Sequence, residues 1–141
     1  MNKSPRFMIA APSSGSGKTM LTCGLMRLLQ KKGYEVQGFK CGPDYIDPMF
    51  HTRVLGIPSV NLDSFFAEDE VLRYLFERRM QQRYSEMSIA VLEGVMGYHD
   101  GLAGRSIKGS TCDIAKITDT PVILCIDTKG MSLSVVPANP S

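Results

Sequence analysis

The stretch from Phe7 to Leu29, FMIAAPSSGSGKTMLTCGLMRLL, constrains this chain more than any other. An apolar run, Phe7 to Ala11, leads into a loop of small residues, Pro12 to Gly17. Lys18-Thr19 follows, then an amphipathic segment with Leu21, Leu25, Leu28 and Leu29 at helical spacing. Strand, small-residue loop, Gly-Lys-Thr and helix together make a cradle for nucleotide phosphates. Without bulky side chains, the backbone N–H groups of Ser13, Ser14, Gly15, Ser16, Gly17, Lys18, Thr19 and Met20 can turn inward on phosphate oxygens. The helix N-terminus adds its partial positive charge. Lys18 is placed to reach the β- and γ-phosphates, and the Thr19 hydroxyl to hold Mg²⁺. The usual spacing, G-x-x-x-x-G-K-[ST], here has Pro12 in place of its first glycine, which points to a subclass. The bland alternative is a Gly/Ser loop that happens to precede a lysine.

Composition narrows the class. The chain has 141 residues, enough for one domain with a buried core, and 43% hydrophobic against 21% charged residues is a globular balance. A net charge of +2 is too small to argue for nucleic acid or an anionic membrane. No apolar run approaches the ~20 residues that span a bilayer. MNKSPRF runs straight into the first strand and leaves no room for a signal peptide, so the cytoplasm is expected. Cys23, Cys41, Cys112 and Cys125 form no C-x-x-C pair and no zinc spacing with His51 or His99. They read as small buried hydrophobes in a reducing compartment.

The periodicities predict a first strand over 6–11, a helix from Lys18 to about Lys32 capped by Gly33, and a second strand over 34–40. Together these imply a parallel crossover. A turn-rich loop with two carboxylates, Asp44 and Asp47, follows at the carboxyl end of the second strand, where ligands bind in open α/β sheets. A short helix is expected over 49–55 and a short strand over 59–63. A helix over 68–84 has Val71, Leu72, Leu75 and Phe76 as its apolar stripe, and its arginines 73, 78, 79 and 83 read as a solvated face. A buried strand over 88–93 ends in Glu93. Further on come a helix over 111–118 with Ser110 at its N-cap and a strand over 121–127.

Glu93, at the end of an apolar strand, stands where an acidic residue can complete a Mg²⁺ shell, with Asp44 and Asp47 the next candidates. Ordinary strand-end and turn chemistry are the competing readings. Lys40, ending the second strand, offers a second cation near the γ-phosphate, or else an exposed strand-end lysine. Asp100 is either a substrate or metal contact or the start of a turn. His51 and His99 have no activated nucleophile beside them in sequence, so covalent catalysis has no support.

Four motifs carry a resemblance: APSSGSGKT (11–19), FKCGPDYIDPMFH (39–51), PSVNLD (58–63) and LEGVMGYHDG (92–101). Together, over about residues 6–134, they resemble the N-terminal ATP-binding domain of the cobyrinic acid a,c-diamide synthase family. The nickel-sirohydrochlorin amidating synthases share these motifs, and dethiobiotin synthetase is a more distant relative. The resemblance implies an α/β fold of three layers, a doubly wound and mainly parallel sheet of P-loop NTPase type, with 1–134 as an incomplete N-terminal part and 135–141 as a disordered tail. It implies ATP- and Mg²⁺-dependent amidation of the a and c carboxylates of cobyrinic acid through an acyl phosphate, within cobalamin biosynthesis. Ammonia would come from glutamine on a glutaminase domain or chain outside this sequence. Lys18, Lys40, Asp44 and Asp100 would be catalytic; Thr19, Asp44 and Glu93 would hold the metal; Tyr45, Asp47 and Asp100 would meet the tetrapyrrole. A homodimer stays open, as does a non-catalytic remnant. A partition-type ATPase is disfavoured, because such proteins carry a lysine where this chain has Ser13.

Overall fold

The computed structural model describes residues 4–11, 17–41, 55–62, 68–82, 85–97 (backbone only from 95) and 111–126. In chain order these form β1 (Arg6–Ala11), α1 (Lys18–Lys31), β2 (Glu35–Cys41), β3 (Ser59–Leu62), α2 (Asp69–Gln82), β4 (Ser88–Gly97), α3 (Thr111–Ile117) and β5 (Val122–Leu124). The strands make one five-stranded sheet in the order β3-β2-β4-β1-β5, and every pairing is parallel. Among the described residues no helix is long and apolar enough to cross a membrane.

Cover on both faces explains why β1 and β4 are near-continuous apolar runs rather than alternating ones. One face packs Met8, Phe39, Leu62, Ala90 and Leu92 against Leu72, Phe76 and Met80 of α2 and Ile114, Ala115 and Ile117 of α3. The other packs Val36, Ile57, Val91, Phe7 and Ile89 against Met26 and Leu29 of α1. The strand period of two sorts these residues: Ala90 and Leu92 go to one side, Ile89 and Val91 to the other. Arg6 ties the first face together. Its guanidinium lies 4.7 Å from the centre of the Phe76 ring, donates to Glu77 at 2.6 Å and donates to the Thr118 carbonyl at 3.0 Å.

The elements lie where the periodicities put them, except that β4 runs past the expected end at Glu93 to Gly97 and β5 covers only Val122–Leu124 of the expected 121–127; three details of side-chain placement also differ. On α1 the buried positions are Thr22 and Met26, while Leu21 and Leu28 stay exposed. Thr22 tolerates burial because its hydroxyl donates to the Lys18 carbonyl at 2.8 Å. On α2 the stripe is Leu72, Phe76 and Met80, and Val71 and Leu75 are exposed. Two of its arginines do structural work: Arg73 donates to the Ile117 carbonyl and Arg79 to Gln37 Oε1. Of the four cysteines, Cys41 and Cys112 are buried, and Cys23 and Cys125 only partly so. The Ser110 cap, most of the 49–55 helix and the 135–141 tail lie outside the described residues.

Candidate nucleotide site

Gly17 stands at the N-cap of α1 with φ 76°, a left-handed conformation that a side chain would strain. Its carbonyl accepts from the Leu21 amide, so the helix starts at full regularity one residue later. The first turn of α1 holds no acidic residue, whereas that of α2 holds Asp69 and Glu70 and that of α3 holds Asp113. The positive end of the α1 dipole is thus the one not offset by its own acids, an arrangement that favours an anion.

Thr19, in this first turn, donates its hydroxyl to Glu93 Oε1 at 3.1 Å. Glu93 is 2% exposed. It is also the last residue of β4 in regular register with β1, opposite Ile9; beyond it the pairing shifts, with Ala11 opposite Gly97. On its other side Glu93 is the register partner of Lys40 in β2, itself 7% exposed. Register partners in a parallel pair share a face, and residues 36 and 91, each an even number of positions away, pack against α1. Lys40 and Glu93 therefore both belong to the α1 face, Lys40 one residue before the end of β2 and Glu93 at the end of the regular pairing of β4 with β1.

Two cysteines register the same charges. Burial raises the Cys23 thiol above its ordinary value, the Glu93 carboxylate raises it further, and Lys40 opposes them. Burial pushes Cys41 far up, with Glu93 adding and Lys18 opposing. Lys18, Lys40, Glu93, Cys23 and Cys41 thus lie within one electrostatic neighbourhood. The sequence held a signal for Cys23, which is four residues after Thr19 and so on the same side of α1.

Of the residues expected at the site, Gly17, Lys18, Thr19, Met20, Lys40 and Glu93 are described. The structure brings Lys18, Thr19, Lys40 and Glu93 together around the start of α1. Met20 is 83% exposed. Ser13, Ser14, Gly15, Ser16, Asp44, Tyr45, Asp47 and Asp100 lie outside the described residues. Among the described residues no group of three or more His, Cys, Asp or Glu could hold a metal. A hydroxyl and a carboxylate at hydrogen-bond distance are nonetheless the all-oxygen donor set suited to Mg²⁺, which takes few protein ligands and keeps its waters.

The model of the CobQ/CobB/MinD/ParA nucleotide binding domain matches residues 7–120. The chain belongs to this family. Within it, the chain is 49% identical over 135 residues to cobyrinate a,c-diamide synthase of Listeria innocua, a match covering 95% of this chain and 28% of that protein. The same-named protein of Methanocaldococcus jannaschii is 44% identical over 131 residues (93% and 28%). Hydrogenobyrinate a,c-diamide synthase of Agrobacterium fabrum is 41% identical over 127 residues (89% and 28%). The chain spans less than a third of the length of these curated relatives.

Proposed function

We propose that this chain is the ATP-binding part of an amidoligase acting on the a and c carboxylates of cobyrinic acid in cobalamin biosynthesis. Residues 1–134 would carry the N-terminal part of the synthetase domain, with 135–141 a tail outside it. The observation that supports the reading most is the contact between the Thr19 hydroxyl and the buried Glu93, with Lys40 in register beside it. A phosphate loop alone is common to many activities. Here it is joined to relatives that are up to 50% identical over 135 residues and are named for this reaction.

In this reading Lys18 and the amides of residues 13–20 hold the triphosphate. Thr19 and Glu93, with Asp44, would hold Mg²⁺, which when bound supplies charge neutralisation on the phosphates. A substrate carboxylate oxygen attacks the γ-phosphorus, the bond to the β-phosphate oxygen breaks, and ADP leaves. Ammonia then attacks the acyl carbon and phosphate departs. Lys40 neutralises the transferring phosphoryl group, while Asp100 and Tyr45 position the acyl phosphate and Asp47 meets the tetrapyrrole. Catalysis of this kind rests on positioning and on charge rather than on a strong base. Ammonia would come from glutamine on a glutaminase domain or chain. Hydrogenobyrinate is the substrate in the name of one relative, and nickel-sirohydrochlorin is the alternative with the same chemistry.

The match to only 28% of each relative favours a second reading, in which the chain binds nucleotide without turning over alone. Calorimetric titration with Mg·ATP tests both. Saturable binding that Lys18→Ala weakens at least tenfold is expected. No binding by a sample with an intact circular-dichroism melt refutes the nucleotide site, and with it the amidoligase reading. Binding without amidation, even in the presence of a relative's remaining portion and glutamine, selects the second reading.

A further inference from the structure

Beyond Glu93, β4 parts from one neighbour while it stays with the other. Its pairing with β1 is regular from Ala90 opposite Arg6 to Glu93 opposite Ile9, and then shifts: β4 advances from 93 to 97 while β1 advances only from 9 to 11. Its pairing with β2 holds one residue further, to Gly94 opposite Cys41. The surplus length of β4 therefore bulges on the β1 side, starting at the residue after the buried carboxylate. A bulge bends its strand and re-aims the side chains beside it, so the direction of Glu93 depends on what holds the strand where it departs.

The support comes from the far face of the sheet. Side chains alternate along a strand, so Gly94 faces away from Glu93, towards the cluster that Ala90 and Leu92 share with α3. There Thr111, the first residue of α3 and buried, rests on the Gly94 backbone: a Cβ on residue 94 would stand 2.6 Å from both Cγ2 and Oγ1 of Thr111. Being branched at Cβ, Thr111 has little freedom about χ1 and meets the strand as a stiff fork. Its hydroxyl is buried with no hydrogen-bond partner among the described residues, so the contact with Gly94, rather than a polar bond, sets where the fork lies. Ile114, Ala115 and Ile117 pack the rest of α3 into the same cluster and so fix the helix that carries it.

We propose that Thr111 is a positioning residue for Glu93: seated on Gly94, it fixes the strand at the start of the bulge and keeps the carboxylate turned towards Thr19. It acts through the strand, from the face opposite the nucleotide site. The proposal rests on the reading of Glu93 as a holder of Mg²⁺ at that site. The geometry leaves Glu93 little slack. Its bond from the Thr19 hydroxyl, at 3.1 Å, is at the long end of the range, and a further shift of about 0.5 Å breaks it. Glycine at 94 belongs to the same device, since a side chain there would drive the fork and the strand apart.

The test is a cycle of variants at 94 and 111, titrated calorimetrically with ATP in excess Mg²⁺ and in EDTA, with a circular-dichroism melt to confirm that each is folded. The quantity read is the ratio of the two affinities, which follows the carboxylate; a purely structural role lowers stability, or both affinities equally, at constant ratio. Thr111→Ala removes both tips of the fork and is expected to lower the ratio by at least about fivefold, with affinity in EDTA held or raised as the carboxylate turns away. Thr111→Val keeps both branches and should stay within about twofold of the wild type, since the hydroxyl has no bond to lose. Gly94→Ala should lower the ratio as Thr111→Ala does. In the double variant the new methyl takes the space the fork gave up, and most of the ratio should return. An unchanged ratio in folded Thr111→Ala overturns the proposal. So does a loss in Thr111→Val, which assigns the effect to the hydroxyl, or a double variant as low as the lower single one. If Thr111→Ala does not fold, Thr111→Ser, which removes Cγ2 alone, is read in its place, and an unchanged ratio there is equally fatal. Glu93→Gln separates the two readings. A wild type whose ratio equals that of Glu93→Gln refutes the metal role of Glu93 and the positioning with it. A wild-type ratio well above that of Glu93→Gln, matched by Thr111→Ala, refutes the positioning alone.

Discussion

Glu93→Gln should shift ATP affinity in opposite directions with and without Mg²⁺. In the absence of metal the buried carboxylate, at hydrogen-bond distance from Thr19 in the first turn of α1, would be an unhelpful negative charge towards a bound phosphate. At roughly 6 Å and an effective dielectric constant of about 20, its repulsion of one phosphate charge is about 3 kcal/mol. That is an upper figure for an exchange that solvent partly screens, and it corresponds to at most about a hundredfold in affinity. Removing the charge with an isosteric amide should therefore tighten ATP binding in EDTA by about ten- to a hundredfold. With Mg²⁺ present the carboxylate is an attraction rather than a repulsion, and its loss should weaken Mg·ATP binding by at least about tenfold. The amide keeps an acceptor for the Thr19 hydroxyl, so the local hydrogen bond at 3.1 Å can persist. Calorimetric titrations in EDTA and in excess Mg²⁺ read both signs, well below the melting temperature of each protein. A Glu93→Gln variant that weakens ATP equally in the two buffers would show that Glu93 only supports the fold. One that changes neither would remove it from the site.

Gly94→Ala should destabilise the fold by about 1–3 kcal/mol, because a Cβ there would meet Thr111 Cγ2 and Oγ1 at 2.6 Å and its Cβ at 3.1 Å. Thr111→Ala in that background should restore part of the loss in denaturant unfolding, since the buried Thr111 hydroxyl has no hydrogen-bond partner among the described residues to give up; no recovery would refute the contact. Stability should also fall in alkali. The Cys41 pKa is raised by folding, so its contribution is intact below the unfolded thiol value of about 8.5 and is lost as pH climbs towards the folded one, with a slope of up to about 1.4 kcal/mol per pH unit. Between pH 7.5 and 9.5 the wild type should lose about 1 kcal/mol more than Cys41→Ala, and parallel curves would contradict the burial argument.

Apolar runs sufficed to locate β1 and β4 because strands covered on both faces need not alternate. Glu93 was legible for the same reason: a carboxylate ending such a run breaks its pattern. Which flank of a helix is buried was not legible. Leucine spacing on α1 defines an apolar side, but Thr22 and Met26 meet the sheet, because the crossover from β1 to β2 sets the roll of the helix and leaves Leu21 and Leu28 outside. The same holds for Val71 and Leu75 on α2. A run of arginines carries no mark of its partners either. Arg73 reaches the end of α3 and Arg79 reaches Gln37 in β2, both brought close only by the tertiary fold. Of the candidate site, Gly17, Lys18, Thr19, Met20, Lys40 and Glu93 lie on described parts of the sheet and α1, whereas Ser13, Ser14, Gly15 and Ser16 lie outside the described residues. Asp44, Tyr45, Asp47 and Asp100 rest on their motifs.

Two ionisable residues, Lys40 at 7% and Glu93 at 2% exposure, occupy register-paired positions on a face otherwise packed with Val36, Val91 and Met26. Taking two charges out of water costs several kcal/mol each, and their mutual attraction at best repays it, so a fold alone gains little from keeping them there. The double variant Lys40→Met with Glu93→Leu converts both positions to side chains of similar volume without leaving either charge alone. Chemical denaturation should show it as stable as the wild type or up to about 4 kcal/mol more so. Mg·ATP binding should be lost, because the substitution removes a cation and the carboxylate that Thr19 faces. Each single variant should instead be destabilised by the buried charge it strands. A double variant less stable than either single one would mean that the pair holds the sheet together. A more stable variant that no longer binds nucleotide would mean that the charges are kept for the ligand at the expense of the fold.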